Sequence, residues 1–129
     1  MIEAAAAPLS ARRLLVVEDE YTIALDLAKS LEELGAEVVG PVATVKDALS
    51  VVTREGERLD GAVLDINLRG ERAYPVADAL IARHVPFIFA TGYTELLPAK
   101  PYTSVPRCEK PIDKAQLAKL LTAAAVERH

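Results

Sequence analysis

Apolar positions along the chain fall into two alternating spacings. RRLLVV (12–17), AEVVGPV (36–42), GAVLD (61–65) and PFIFA (86–90) are compact apolar runs of strand length. Such near-continuous runs are what strands buried on both faces require. Between them the spacing widens to the period of a helix. Over residues 20–34, Ile23, Leu27, Leu31 and Leu34 share one face, and Gly35 suits the position just past the helix end. Thr44 and Asp47 form a T-x-x-D capping pair ahead of Val45, Ala48, Leu49 and Val52. Pro75 belongs in the first turn of a helix that buries Val76, Ala79 and Leu80. Asp113 and Gln116 cap a last helix whose face is Leu117, Leu120, Leu121 and Ala124, after a short fifth strand over 105–108. Pro41 suits an edge strand. Residues 1–10 read as a flexible tail, and 11–129 as one domain.

Strand and helix thus alternate five times with no repeat or low-complexity linker between them. That order implies an α/β fold, a parallel sheet covered by helices on both faces and doubly wound. In such folds ligands sit beyond the carboxyl ends of the strands, so the residues just after each strand carry the functional information. Strand one ends in Glu18, Asp19 and Glu20; strand three in Asp65, with Asn67 close behind; strand four in Thr91; strand five in Lys110. Clustered carboxylates repel one another unless a cation joins them, and hard oxygen donors suit Mg²⁺. Asp65 ends the central strand, where a carboxylate can attack a phosphoryl group. Lys110 and Mg²⁺ would supply positive charge to the phosphoryl oxygens, and Thr91 a hydrogen bond. Singly, each has an ordinary explanation: Asp19 or Glu20 as a helix cap, Lys110 as a solvated loop lysine, Thr91 as a strand end. Their convergence on one edge points to chemistry.

Composition removes other classes. At 129 residues the chain is long enough for one real core, and a net charge of -4 with no basic stripe argues against nucleic acid. Cys108 is the only cysteine, which excludes an internal disulfide and a thiolate metal site and reads as a small core residue. The start, MIEAAAAP, lacks a charged n-region and a long apolar core, and no run approaches bilayer length. A cytoplasmic setting with no membrane contact is the expectation. His84, in RHVP, falls at a helix end where a cation complements the dipole.

The stretches LLVVEDE, VLDINLRG around Asp65, FATGY around Thr91 and EKP around Lys110, in this order on successive strands, resemble the receiver domain of two-component response regulators. The resemblance covers residues 12–126. It implies a CheY-like, flavodoxin-like sheet of order 2-1-3-4-5. It makes Asp65 the phosphoacceptor, Glu18 and Asp19 the acidic pair, Asn67 a backbone-carbonyl ligand of Mg²⁺, Thr91 the switch hydroxyl and Lys110 the phosphate-sensing lysine. The partners it implies are a histidine kinase or phosphotransfer protein and a downstream protein. PFIFATGY and AVLDINLRGE further resemble the "FAT GUY" subgroup, whose members are often stand-alone receivers associated with HWE-type kinases. On that reading the chain is a single-domain response regulator without an output domain, a switch rather than a metabolic enzyme.

Two departures alter the expected mechanism. Glu18 stands where many receivers have aspartate. Arg107 occupies the position, three before the lysine, where receivers usually carry a rotating aromatic; Tyr93 is the candidate replacement. Pro98, Pro101 and Pro106 predict a short, irregular or mobile fourth helix. Two other readings remain open: a degenerate receiver that binds partners without phosphorylation, and a haloacid-dehalogenase-like phosphatase. The phosphatase motif needs an acid two residues after the nucleophile, where this chain has Asn67.

Overall fold

The computed structural model describes residues 7–92 and 101–127, with side chains to residue 123. Five strands, β1 (Arg13–Val17), β2 (Glu37–Val42), β3 (Gly61–Asp65), β4 (Phe87–Thr91) and β5 (Arg107–Glu109), form one parallel sheet of order β2-β1-β3-β4-β5. The helices are α1 (Tyr21–Glu33), α2 (Val45–Glu55), α3 (Tyr74–Ala82) and α4 (Lys114–Glu127). This is the doubly wound arrangement expected from the alternation.

Strand periodicity splits the core in two. Leu15, Val17, Ala62, Leu64, Phe87 and Phe89 face α2 and α3, while Leu14, Val16, Val63, Ile88 and Ala90 face α1 and α4. Both faces are buried, so the central strands had to be apolar at successive positions. β2 lies at the edge, where Pro41 needs no outer partner.

Local chemistry sets the helix ends. Thr44 accepts a hydrogen bond from the Asp47 amide at 3.0 Å and caps α2. After α1 the Gly35 amide donates to Glu32 and the Ala36 amide to Leu31, a paired closure that requires the left-handed φ of 101° at Gly35. His84 ends α3 in the same way: its amide donates to Ile81, the Val85 amide donates to Leu80, and its φ is 59°. Its capping role is therefore one of backbone conformation. In α3 the inward positions are Val76, Ala77 and Leu80, with Ala79 half-buried rather than Ala77. The α4 start uses Asp113, whose carboxylate accepts from the Ala115 amide at 3.2 Å; Gln116 instead faces the buried Cys108 thiol at 3.4 Å.

Two features depart from the expectations above. Residues 7–10 are folded: Leu9 is fully buried against the α1 side of the core, and its amide donates to the Leu34 carbonyl at 2.9 Å. The segment after Asp65, INLRGERAY, which the sequence pattern reads as a loop, contains a two-stranded ribbon pairing Asn67–Leu68 with Glu71–Arg72. Its turn residues Arg69 and Gly70 both have positive φ, 53° and 84°, as a two-residue hairpin turn of native twist demands. The predicted fourth-helix segment falls mostly at 93–100, outside the described residues, as does Tyr93; Tyr102–Ser104 form a 3₁₀ turn.

Candidate functional site

The carboxyl ends of β1, β3 and β5 converge on a small acidic centre. Carboxylate oxygens of Glu18, Asp19 and Asp65 lie within 4.8 Å of one another. Glu18 and Asp65 are almost fully buried, at 2% and 3% exposure, while Asp19 is half-buried. The Lys110 ammonium bridges the buried pair, 2.7 Å from Glu18 Oε1 and 3.1 Å from Asp65 Oδ2. Neighbouring backbone completes the frame. The Asn67 amide donates to Asp65 Oδ1 at 3.2 Å, the Glu20 amide to Glu18 Oε2 at 3.0 Å, and the Arg69 amide to Asp19 Oδ2 at 2.9 Å.

Thr91 ends β4 beside this centre, 5% exposed, on the strand that pairs Ala90 with Asp65. Its carbonyl accepts from the Lys110 amide at 2.8 Å, which ties the hydroxyl-bearing and lysine-bearing strand ends together. Glu18, Asp19, Asp65 and Lys110 are thus gathered in one cluster, Asn67 adjoins Asp65 through its amide, and Thr91 borders the group. Glu20 heads α1 but makes no side-chain cap, so that ordinary explanation does not account for it.

Burial dominates the electrostatics. It pushes the Glu18 carboxyl up to about 7, against the pull of Lys110, and raises Asp65 as well. Lys110 loses solvation too, yet its pairing with Glu18 and Asp65 outweighs that and holds its ammonium above the ordinary range. The cluster holds three carboxyls and one ammonium, which pairs with two of them, leaving a formal excess of two negative charges when all are ionised. Among the described residues, the buried Glu18 Oε1 has no aligned hydrogen bond apart from its ion pair with Lys110. An all-oxygen donor set with this charge excess and one half-open carboxylate suits a hard divalent cation such as Mg²⁺. A cleft of about 480 Å³ opens beside Lys110, lined by Ile23, Leu27, Ser30, Pro111 and Ile112 among others.

A doubly wound sheet of this order, with a buried carboxylate at the end of its central strand and a lysine reaching it from the last, defines a class. The chain belongs to the response regulator receiver domains of two-component signalling. Its backbone superposes on SdrG from Sphingomonas melonis Fr1 with a TM-score of 0.80 and 43% identity, over 90% of this chain and 97% of that one. The receiver (REC) domain of the Erythrobacter litoralis response regulator PhyR matches with a TM-score of 0.78 and 25% identity, over 91% of this chain and 92% of that one. Among curated proteins, the phyllosphere-induced regulator PhyR of Methylorubrum extorquens is 36% identical over 87 residues. The Mycobacterium tuberculosis transcriptional regulatory protein PdtaR is 28% identical over 85 residues. The matched regions cover 66% and 65% of this chain but only 32% and 40% of those proteins. No protein-family model matches the sequence. Among the described residues, no helix is long and apolar enough to cross a membrane.

Proposed function

We propose that this chain is a phosphoacceptor switch. Asp65 takes a phosphoryl group from a phosphohistidine of a histidine kinase, with HWE-type kinases the first candidates, or of a phosphotransfer protein. An Asp65 oxygen attacks phosphorus, the P–N bond to the imidazole breaks, and a P–O bond forms to give an aspartyl acyl phosphate. The observation that carries this reading is the Asp65 carboxylate, 3% exposed at the end of the central strand and 3.1 Å from the Lys110 ammonium. Lys110 is positioned to follow the charge from the carboxylate to the phosphoryl oxygens, and Thr91 to donate its hydroxyl to one of them. Asp19, Asp65 and the Asn67 backbone carbonyl would hold Mg²⁺, with Glu18 in support, its longer side chain acting through water. The ion, when bound, supplies positive charge to the transferring group. The charge added at Asp65 redraws the Thr91 and Lys110 ends and with them a partner-binding surface.

The test is incubation with acetyl phosphate and Mg²⁺, followed by intact mass. One added phosphoryl group is expected, absent in Asp65→Asn and lost from wild type on EDTA treatment before phosphodonor. No adduct in the wild type would favour the degenerate binding module. Multiple turnover of small phosphate esters would favour the phosphatase.

A further inference from the structure

Parallel pairing sets Phe89 beside Arg107 and Thr91 beside Glu109. Arg107 is exposed, so β5 contributes no aromatic ring to the α2–α3 face at this point. An aromatic side chain reaches that face from elsewhere. Tyr102, in the 3₁₀ turn ahead of β5, is 9% exposed and belongs to the same buried cluster as Phe89. Its ring stacks parallel on Tyr74 with centroids 4.4 Å apart, and Tyr74 meets Phe89 edge-on at 6.4 Å. The Tyr102 hydroxyl donates to Asp78 Oδ1 at 2.5 Å. Tyr74 and Asp78 are four residues apart on α3, so one helix face grips ring and hydroxyl together.

Each side of this grip is tied to Asp65 by a separate route. On the α3 side, the Asn67 amide bonds the Asp65 carboxylate, and the Ala73 amide, directly before Tyr74, bonds the Ile66 carbonyl at 2.8 Å. On the other side, the Val105 amide bonds the Tyr102 carbonyl at 3.1 Å, and the strand that follows runs to Lys110, which contacts Asp65. These two routes would carry a displacement of Lys110 relative to the ribbon to the Tyr74–Tyr102 stack. The grip holds through one parallel ring stack and the Tyr102 hydroxyl bond to the exposed Asp78 carboxylate.

We propose that Tyr102 is the aromatic switch of this chain, docked on Tyr74 and Asp78 of α3 when Asp65 is free and released from them when Asp65 is phosphorylated. The proposal rests on the phosphoacceptor reading and assigns the switching role to Tyr102, in place of the absent β5 aromatic and of Tyr93. The chain has four tyrosines and no tryptophan, which makes 3-fluorotyrosine labelling a sparse probe. Fluorine resonances, assigned with single Tyr→Phe variants, would be followed as beryllofluoride and Mg²⁺ are added, alongside the Thr91 amide in a ¹⁵N spectrum. Tyr74 and Tyr102 should shift together, well beyond Tyr21, and Asp65→Asn should abolish both shifts. Tyr102→Phe, which keeps the ring but loses the Asp78 bond, should bring the Tyr74 resonance part-way to its activated position without any phosphoryl mimic. A moving Thr91 amide with static Tyr74 and Tyr102 resonances overturns the switch while leaving the phosphoacceptor reading intact. Movement of Tyr93 alone among the tyrosines overturns it equally. No response at Thr91 or at any tyrosine overturns both.

Discussion

Glu18 uses the extra methylene of glutamate to reach Lys110 at 2.7 Å while staying buried. Burial holds its carboxyl at about 7, against an ordinary 4.5, so between those pH values the folded chain binds more protons than the unfolded chain. Stability without divalent cation therefore falls as pH rises from about 4.5 to about 7, and Asp65, also raised, adds in the same direction. Lys110 is protonated in both states across this window and leaves the slope unchanged. The expected loss is on the order of 2–3 kcal/mol, read by urea unfolding in EDTA at a series of pH values. Glu18→Gln should flatten the slope; a wild-type stability that rises through this window would contradict the burial argument. Lys110→Met strands two buried carboxylates, so at pH 8 it should destabilise by about 3–5 kcal/mol, and by clearly less at pH 5 where they protonate. The residue types at these strand ends were legible in the sequence. Their protonation was not, because it depends on burial and on one ammonium shared between two carboxylates.

At the scale of elements, ends were less legible than interiors. Four strands of the main sheet and the four described helices follow from the two apolar spacings, whereas the short β5, with exposed Arg107 and Glu109 around Cys108, and the ribbon after Asp65 do not. The usual hairpin signal places Asn, Asp or Gly at both turn positions, but here Arg69 holds the first with a φ of 53°. The Asp19 carboxylate accepts its amide and helps hold that conformation, a contact 50 residues apart in sequence. His84 likewise sits at a φ of 59° where glycine is the common choice. His84→Gly should raise stability by about 1 kcal/mol, because it removes the side-chain clash of the left-handed conformation. Thr44→Ala should lower it by about 1 kcal/mol through loss of the α2 cap. Chemical denaturation of the two variants checks both signs.

For the whole molecule, the boundary of the fold lies earlier than composition suggested. A lone leucine in AAAAPLSARR has no periodic partners, so nothing in the local pattern marks it as core. In the folded chain Leu9 is fully buried, and its amide caps the Leu34 carbonyl at the end of α1. Leu9→Ala should cost about 2–5 kcal/mol in urea unfolding, as for a central core leucine. A loss below about 0.5 kcal/mol would return residues 7–10 to the tail.

By itself, the sequence determined the α/β class, the parallel sheet and the set of side chains at its carboxyl edge. All of these follow from local periodicity and from the residue that ends each strand. Tertiary structure alone decided how those side chains share charge. It also decided that Leu9 is core, that Arg69 folds back to Asp19, and that Tyr102 stacks on Tyr74. These are contacts between segments distant along the chain, and local spacing carries no record of them.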